Sequence, residues 1–349
     1  MRTDGAVLRA AVVGAGAMGR NHIRVLIELD GVDLVGVADT SAENLEHVLR
    51  GRTVRGYTDV TEMLEAARPD FVIIATPTVD HAGTAELALA RGIHVLVEKP
   101  IAVSRHEAEQ MAKLADSNGV HLGVGHVERY NPAILQLRDR LTRGEGGDVH
   151  LLTARRTGPF PPRIKDTGVI TDLATHDVDI MMMLTLSSVE RVYAETARRI
   201  HRTHEDLFCG TLRFEDGQIG QLDINWLTPF KTRELSVVCE RGTFVANYLT
   251  QELTFYENAH TSGGWDSLSQ LTGVAEGNMT RYHVNRVEPL LAEIQAFISA
   301  IHGEGFRYVT AEDGLATLDV TTALLLAAET KQTIVLSPAA AQAAPSPAG

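Results

Sequence analysis

The chain has 349 residues, 44% hydrophobic and 22% charged, with a formal net charge of −13. This is long for one hydrophobic core, so two domains are expected, and the composition is that of a soluble globular protein. The acidic balance argues against nucleic acid or an anionic membrane as the main partner, and no apolar run approaches the roughly 20 residues needed to cross a bilayer.

The first predicted strand, Leu8–Val13, runs into AAVVGAGAMG, a glycine-spaced loop followed by the helical pattern Met18–Leu29. Gly14, Gly16 and Gly19 fit the G-x-G-x-x-G dinucleotide fingerprint, with Ala17 and Met18 in the same loop. Gly14 allows the tight turn, Gly16 leaves room for a pyrophosphate, and Gly19 lets the helix pack closely on the sheet. Asp39 follows Gly19 by twenty residues, after the apolar run Leu34–Ala38, where a carboxylate can accept from the adenosine ribose hydroxyls. It would repel a 2′-phosphate, and Thr40, Ser41 and Ala42 supply no cation, so NAD is favoured over NADP.

Further strands are predicted at Phe71–Ala75, His94–Val97 and His121–Val124, separated by helices at 41–48, 58–67, 80–91 and 104–117. Apolar strands alternating with helices mean a doubly wound parallel sheet, whose ligands bind at the C-terminal strand ends. Thr76-Pro77, Glu98-Lys99-Pro100 and Gly125-His126 all follow strands and belong on that side, as does His81 in the ATPTVDH stretch. Lys99 is either a partly desolvated proton-transfer group or half of a strand-end charge pair with Glu98. Glu98 could also hydrogen-bond the nicotinamide ribose.

From about residue 130 the pattern changes. A helix over 167–184 is followed by strands at 189–198, 207–214, 218–226, 233–239, 242–248 and 252–256, with Glu215-Asp216-Gly217 a hairpin signal. The expected whole is α/β: a doubly wound dinucleotide domain at 1–130, then an α+β domain at 131–336 with an open, mostly antiparallel sheet. Helices at 282–301 and 311–330 close it, and an Ala/Pro/Ser tail at 337–349 is too poor in apolar residues to fold. Met181, Met182 and Met183 read as core. Cys209 and Cys239 read as buried thiols, and no residues show metal-ligand spacing. The N-terminus has no basic-then-apolar leader, which points to the cytoplasm.

Hydride chemistry at a carbinol needs a base for the hydroxyl proton. Asp172 and His176, four apart on the predicted helix, could form a carboxylate-oriented base or a simple helix-surface contact. Between Arg155 and Lys165 lies a proline-rich predicted loop with four cations and no acid. Arg163 and its neighbours either bind a substrate phosphate or are solvated loop charge.

VVGAGAMG, ATPTVDH at 75–81, VEKPIAVS at 97–104 and DLATHD at 172–177 occur in this order, and with them the chain resembles the glucose–fructose oxidoreductase/inositol dehydrogenase/rhizopine-catabolism (Gfo/Idh/MocA) family over roughly residues 8–335. The resemblance implies a Rossmann domain, an open-faced sheet domain, homodimers or homotetramers packed through that sheet, and Lys99, Asp172 and His176 meeting at the nicotinamide. GHVERYNPA at 125–133 is similar to members that act as UDP-N-acetylglucosamine 3-dehydrogenases. In that reading Glu128, Arg129, Tyr130 and Asn131 lie near substrate; in the other, Asn131-Pro132 caps a helix through Leu141 and Glu128 pairs with Arg129 on the surface. The expected activity is NAD-dependent oxidation of a secondary sugar hydroxyl, with a nucleotide sugar leading. The alternatives are an inositol, free-sugar or sugar-phosphate dehydrogenase, a ketosugar reductase, and, more remotely, a non-catalytic NAD-binding regulator.

Overall fold

A computed structural model describes residues 7–162, 164, 167–258, 276–305 and 307–336. Arg163 and the tail at 337–349 lie outside them. The chain divides into two compact units, Met1–Pro132 with Arg286–Leu318, and Ala133–Asn285 with Asp319–Gly349.

The first unit contains a six-stranded parallel sheet in the order β3-β2-β1-β4-β5-β6. Its strands are β1 (Leu8–Val13), β2 (Val32–Ala38), β3 (Gly56–Tyr57), β4 (Phe71–Ile74), β5 (His94–Glu98) and β6 (Leu122–Gly125). Helices α1 (Ala17–Glu28), α2 (Ala42–Leu49), α3 (Val60–Ala67), α4 (His81–Leu89) and α5 (Arg105–Asn118) connect them. Each β4 residue is fully buried, as a strand covered on both faces must be. The order of strand addition reverses between the parallel neighbours β1 and β4, so the loops after these strands part at the C-terminal edge and leave a crevice there. Starts are set locally: Ser104 and Glu107 form a reciprocal capping box at α5, and the Asp59 carboxylate accepts from Glu62 N at 2.7 Å.

In the second unit, α6 (Pro132–Thr142) starts at its boundary residue and β7 (Val149–Pro159) precedes a π-helical turn over Ile170–Ala174 and α7 (Thr175–Thr185). The remaining strands are β8 (Val189–Ala197), β9 (Leu207–Phe214), β10 (Ile219–Asn225), β11 (Leu227–Cys239), β12 (Gly242–Asn247), β13 (Glu252–Asn258), β14 (Glu276–Tyr282) and β15 (Ile334–Val335). Among the described residues they form a nine-stranded sheet ordered β14-β13-β12-β11-β7-β10-β9-β8-β15, antiparallel except for β7 beside β10. Leu152, Ala154, Leu212, Leu222, Leu235 and Phe244 line the inner face, against α7 residues Val178 and Met181. The outer face leaves Tyr193, Cys209, Thr211 and Gln221 exposed.

Several expectations need correction. Arg155–Pro159 is strand, not loop, because β7 alternates inward Leu152, Ala154 and Arg156, and a buried arginine disguises the period. The helix expected over 282–301 is α8 (Pro289–Ile301); Tyr282 ends β14, and Pro289 supplies the fixed φ that suits a first helical residue. This helix packs in the first unit, with Phe297 meeting Phe71 edge-on at 6.1 Å, so 131–336 is not one contiguous body. The unit division falls within α9 (Ala311–Thr330). Met181 and Met183 are core and Met182 packs against it, as expected, whereas Cys209 is exposed and only Cys239 is buried. Burial raises the Cys239 thiol to about 11.

Candidate active site

In the first unit the glycine loop turns at Gly14, whose φ of +95° suits glycine and whose added Cβ would lie 2.5 Å from Ala75 O. A Cβ at Gly19 would lie 1.8 Å from Gly14 O, so the start of α1 reaches the strand only with glycine there. A Cβ at Gly16 would meet nothing within 4 Å, and Gly16, Ala17 and Met18 are exposed. This open cradle at a helix N-terminus fits a pyrophosphate. Asp39 Oδ2 accepts from Ala15 N at 2.6 Å, and Oδ1 accepts from Ser41 N at 2.8 Å and Asn44 Nδ2 at 3.3 Å. Its carboxylate is thereby held beside the loop, with lone-pair capacity left for a ribose.

The loops after β4 and β5 are joined by His81. Its Nδ1 lies 2.9 Å from Pro100 O and its Nε2 3.0 Å from Thr76 O. Burial lowers the ring's pKa despite these two carbonyls, so the neutral ring can donate to only one of them. Thr76 Oγ1 is buried and has no hydrogen-bond partner among the described residues. An orphaned hydroxyl at this strand end is what a ligand donor or acceptor would satisfy. Lys99 is half-buried next to Glu98, which is buried and 2.7 Å from His22 Nε2. His126 is buried at the end of β6.

Arg129 and Tyr130 work within this unit. Arg129 Nη1 lies 3.1 Å from Asp313 Oδ2, and the Tyr130 hydroxyl accepts from Val309 N at 3.3 Å. Both hold the returning segment beside β6. Asn131 is buried and Glu128 half-buried.

In the second unit, Asp172 sits in the π-helical turn and His176 in the first turn of α7. The predicted regular helix therefore fails at this point, and the four-residue spacing crosses a π/α junction, a form of irregularity frequent at functional sites. Asp172 and His176 are half-buried while Leu173, Ala174, Thr175 and Asp177 around them are buried. Glu205 caps the segment: its carbonyl accepts from Val169 N and its carboxylate from Ile170 N, both at 3.1 Å. Asp206 next to it is fully buried and accepts from the backbone N–H groups of Arg199, Ile200 and His201. Burial opposes its ionisation, but these three donors hold its carboxyl below the usual range.

Two of the four cations expected near substrate are neutralised internally. Arg156 is buried and bidentate with Asp177, Nε–Oδ2 at 2.6 Å and Nη2–Oδ1 at 3.0 Å, and lies over the Tyr248 ring. Arg155 pairs with Asp223 on the exposed side of the sheet. Lys165, like Arg163, is outside the described residues. His22, Glu205 and Asp206 were missed. Each acts through a long-range or loop contact, and only the placement of His22 three residues after Gly19 was a visible signal.

A parallel sheet with a glycine cradle, a held acidic residue at the end of β2 and polar groups at the ends of β4 and β5 defines an NAD-binding oxidoreductase domain joined to a second, sheet-built unit. Residues 8–126 match the family model described as oxidoreductase family, NAD-binding Rossmann fold, and residues 134–245 match the GFO/IDH/MocA C-terminal domain. The chain belongs to the Gfo/Idh/MocA oxidoreductase family. It is 29% identical to a UDP-N-acetylglucosamine 3-dehydrogenase of Acidithiobacillus ferrooxidans, over 84% of this chain and 88% of that one. It is 26% identical to the NAD-dependent scyllo-inositol 2-dehydrogenase of Bacillus subtilis, over 90% and 92%. A solved structure of the Acidithiobacillus enzyme superposes with a TM-score of 0.82 at 26% identity, covering 93% of this chain and 98% of that one. Among the described residues no helix is long and apolar enough to cross a membrane, and no group of three or more His, Cys, Asp or Glu could hold a metal.

Proposed function

We propose that this enzyme is an NAD-dependent sugar or polyol dehydrogenase whose substrate is a nucleotide sugar, oxidised at a secondary hydroxyl such as C3 of UDP-N-acetylglucosamine. The observation that carries this reading is the likeness to the Acidithiobacillus enzyme, which spans both units in sequence and in fold. GHVERYNPA adds local support, with Glu128, Arg129, Tyr130 and Asn131 lining the substrate and Arg163 taking a phosphate. The scyllo-inositol dehydrogenase likeness supports a second reading, a cyclic polyol or free sugar, with ketosugar reduction as the reverse reaction.

The cofactor, when bound, exchanges a hydride with the carbinol carbon. Gly14, Gly16, Ala17, Met18 and Gly19 hold its pyrophosphate, Asp39 its adenosine ribose, and Thr76, Pro77, His81, Glu98 and His126 surround its other half. Lys99 and His176 share the hydroxyl proton, and Asp172 orients the imidazole and raises its basicity. The reaction runs in the cytoplasm, in homodimers or homotetramers. The exposed, partly apolar outer sheet face, with Tyr193, Ile219, Tyr256 and Met279, supports self-association.

Purified protein with NAD and a panel of UDP-sugars, sugar phosphates, free sugars and inositols tests the reading through reduced-nicotinamide absorbance. UDP-N-acetylglucosamine should have the highest kcat/KM. If inositols or free sugars lead the panel, the nucleotide-sugar reading is lost and the dehydrogenase class stands.

A further inference from the structure

Helix α1 leaves the glycine loop and carries His22 one turn after Gly19, among buried Ile23, Val25 and Leu26. The ring is 1% exposed, and burying an imidazole there costs free energy unless it is hydrogen-bonded. Its Nε2 is 2.7 Å from Glu98 Oε1, while Nδ1 is buried with no hydrogen-bond partner among the described residues. An ionised carboxylate only accepts, so Nε2 carries the proton and donates. Burial pushes the Glu98 carboxyl toward its neutral form, but the His22 hydrogen bond, with Lys99 and His81 nearby, reverses this and holds it below the usual range. The groups facing that carboxylate are thus His22 from α1, Lys99 beside it in the chain and His81 from α4.

We propose that His22 is a positioning residue: its hydrogen bond keeps the Glu98 carboxylate oriented and ionised, and this fixed negative charge makes the site prefer NAD+, whose nicotinamide ring is positively charged, over NADH, whose dihydronicotinamide ring is neutral. The inference rests on the proposed placement of the nicotinamide half of the cofactor at the ends of β4 to β6. In that frame α1 serves both ends of the cofactor. Its N-terminus faces the pyrophosphate, and its second turn fixes the charge beside the redox ring.

The test measures dissociation constants of NAD+ and NADH by fluorescence titration, from about pH 5.5 to about pH 8.5, where an unperturbed carboxyl stays ionised. In the unmodified protein the affinity ratio should be flat across this range. Glu98→Gln should move it toward NADH by about tenfold at every pH, the scale of one weakly screened charge. His22→Leu fills the volume without a donor, so Glu98 should titrate within the range. The ratio should then shift toward NADH at the acid end and recover at the alkaline end. His22→Gln, whose amide can donate, should restore most of the flat profile, and His22→Leu with Glu98→Gln should add nothing to Glu98→Gln alone. His22→Met carries the same expectation as His22→Leu should that variant fail to fold, as a thermal melt would reveal. A flat, unshifted ratio in a folded His22→Leu or His22→Met protein, with Glu98→Gln still effective, overturns the role of His22. An effect of His22 that persists in the double variant overturns it too. An unshifted Glu98→Gln overturns instead the placement of the nicotinamide, and this inference with it.

Discussion

In the dinucleotide unit the candidate groups sit where parallel strands end, whereas in the sheet unit they sit where a helix begins. Gly14, Thr76 and Lys99 project from a sheet edge whose backbone geometry already makes a ligand crevice, and buried His81 and His22 tie the neighbouring loops. Asp172 and His176 have no such edge. Asp172 rides on a π-helical turn that regular backbone bonding does not favour and His176 on the first turn of α7 after it, the segment held by Glu205 at its start and by the buried Arg156–Asp177 pair beside His176. The first set of candidate groups is therefore a consequence of topology, and the second depends on a few side chains placed by distant parts of the chain.

This contrast carries measurable consequences. The largest is shared by both regions: Lys99→Ala and His176→Ala should each reduce kcat by the roughly 10²–10⁴-fold typical of acid–base groups while NAD still binds. Near-normal turnover in either variant would remove that residue from proton transfer.

The next separates the regions. Arg156→Met strands the Asp177 carboxylate and should cost about 3–5 kcal/mol of unfolding free energy in denaturant titration, while Arg156→Met with Asp177→Leu should regain most of it. A single variant as stable as the parent would mean that the sheet unit does not depend on this pair.

Acid should then distinguish the two units. His94 at the start of β5 is stacked on His121 at 5.2 Å and accepts from His121 N; burial, then His121, against Asp70, lowers it to about 4. The unfolded chain takes up that proton near pH 6.5, so stability falls as pH drops from about 6.5 to about 4, by at most about 3 kcal/mol. Asp206 in the sheet unit has a depressed pKa, so its contribution persists above about pH 3.9 and is lost below it. Hydrogen exchange, corrected for intrinsic rates, should show β5 and β6 loosening at milder acid than β9 and β10. The reverse order would contradict the two assignments.

The smallest effect concerns Asp39. The unmodified protein should bind NAD more tightly than NADP, and Asp39→Ser should narrow the gap by about tenfold as one repulsive charge is removed. Equal affinities in the unmodified protein would end the argument.

What the chain alone determined is whatever local chemistry dictates. Leu8–Val13, the glycine loop, Asp39 and the strand-end position of Lys99 follow from period, turn chemistry and spacing, because a parallel strand buried on both faces must read as a continuous apolar run. Tertiary structure decided the rest. It made Arg155–Pro159 a strand, since Arg156 is tolerated facing inward only by pairing with Asp177, twenty-one residues away. It also turned Ile170–Ala174 into a π-helix, drew α8 back to the first unit, and joined His22 to Glu98 across seventy-six residues. Each of these exchanges a locally preferred arrangement for a partner distant in sequence. A buried polar group is stable only when that partner arrives, and local pattern carries no record of it.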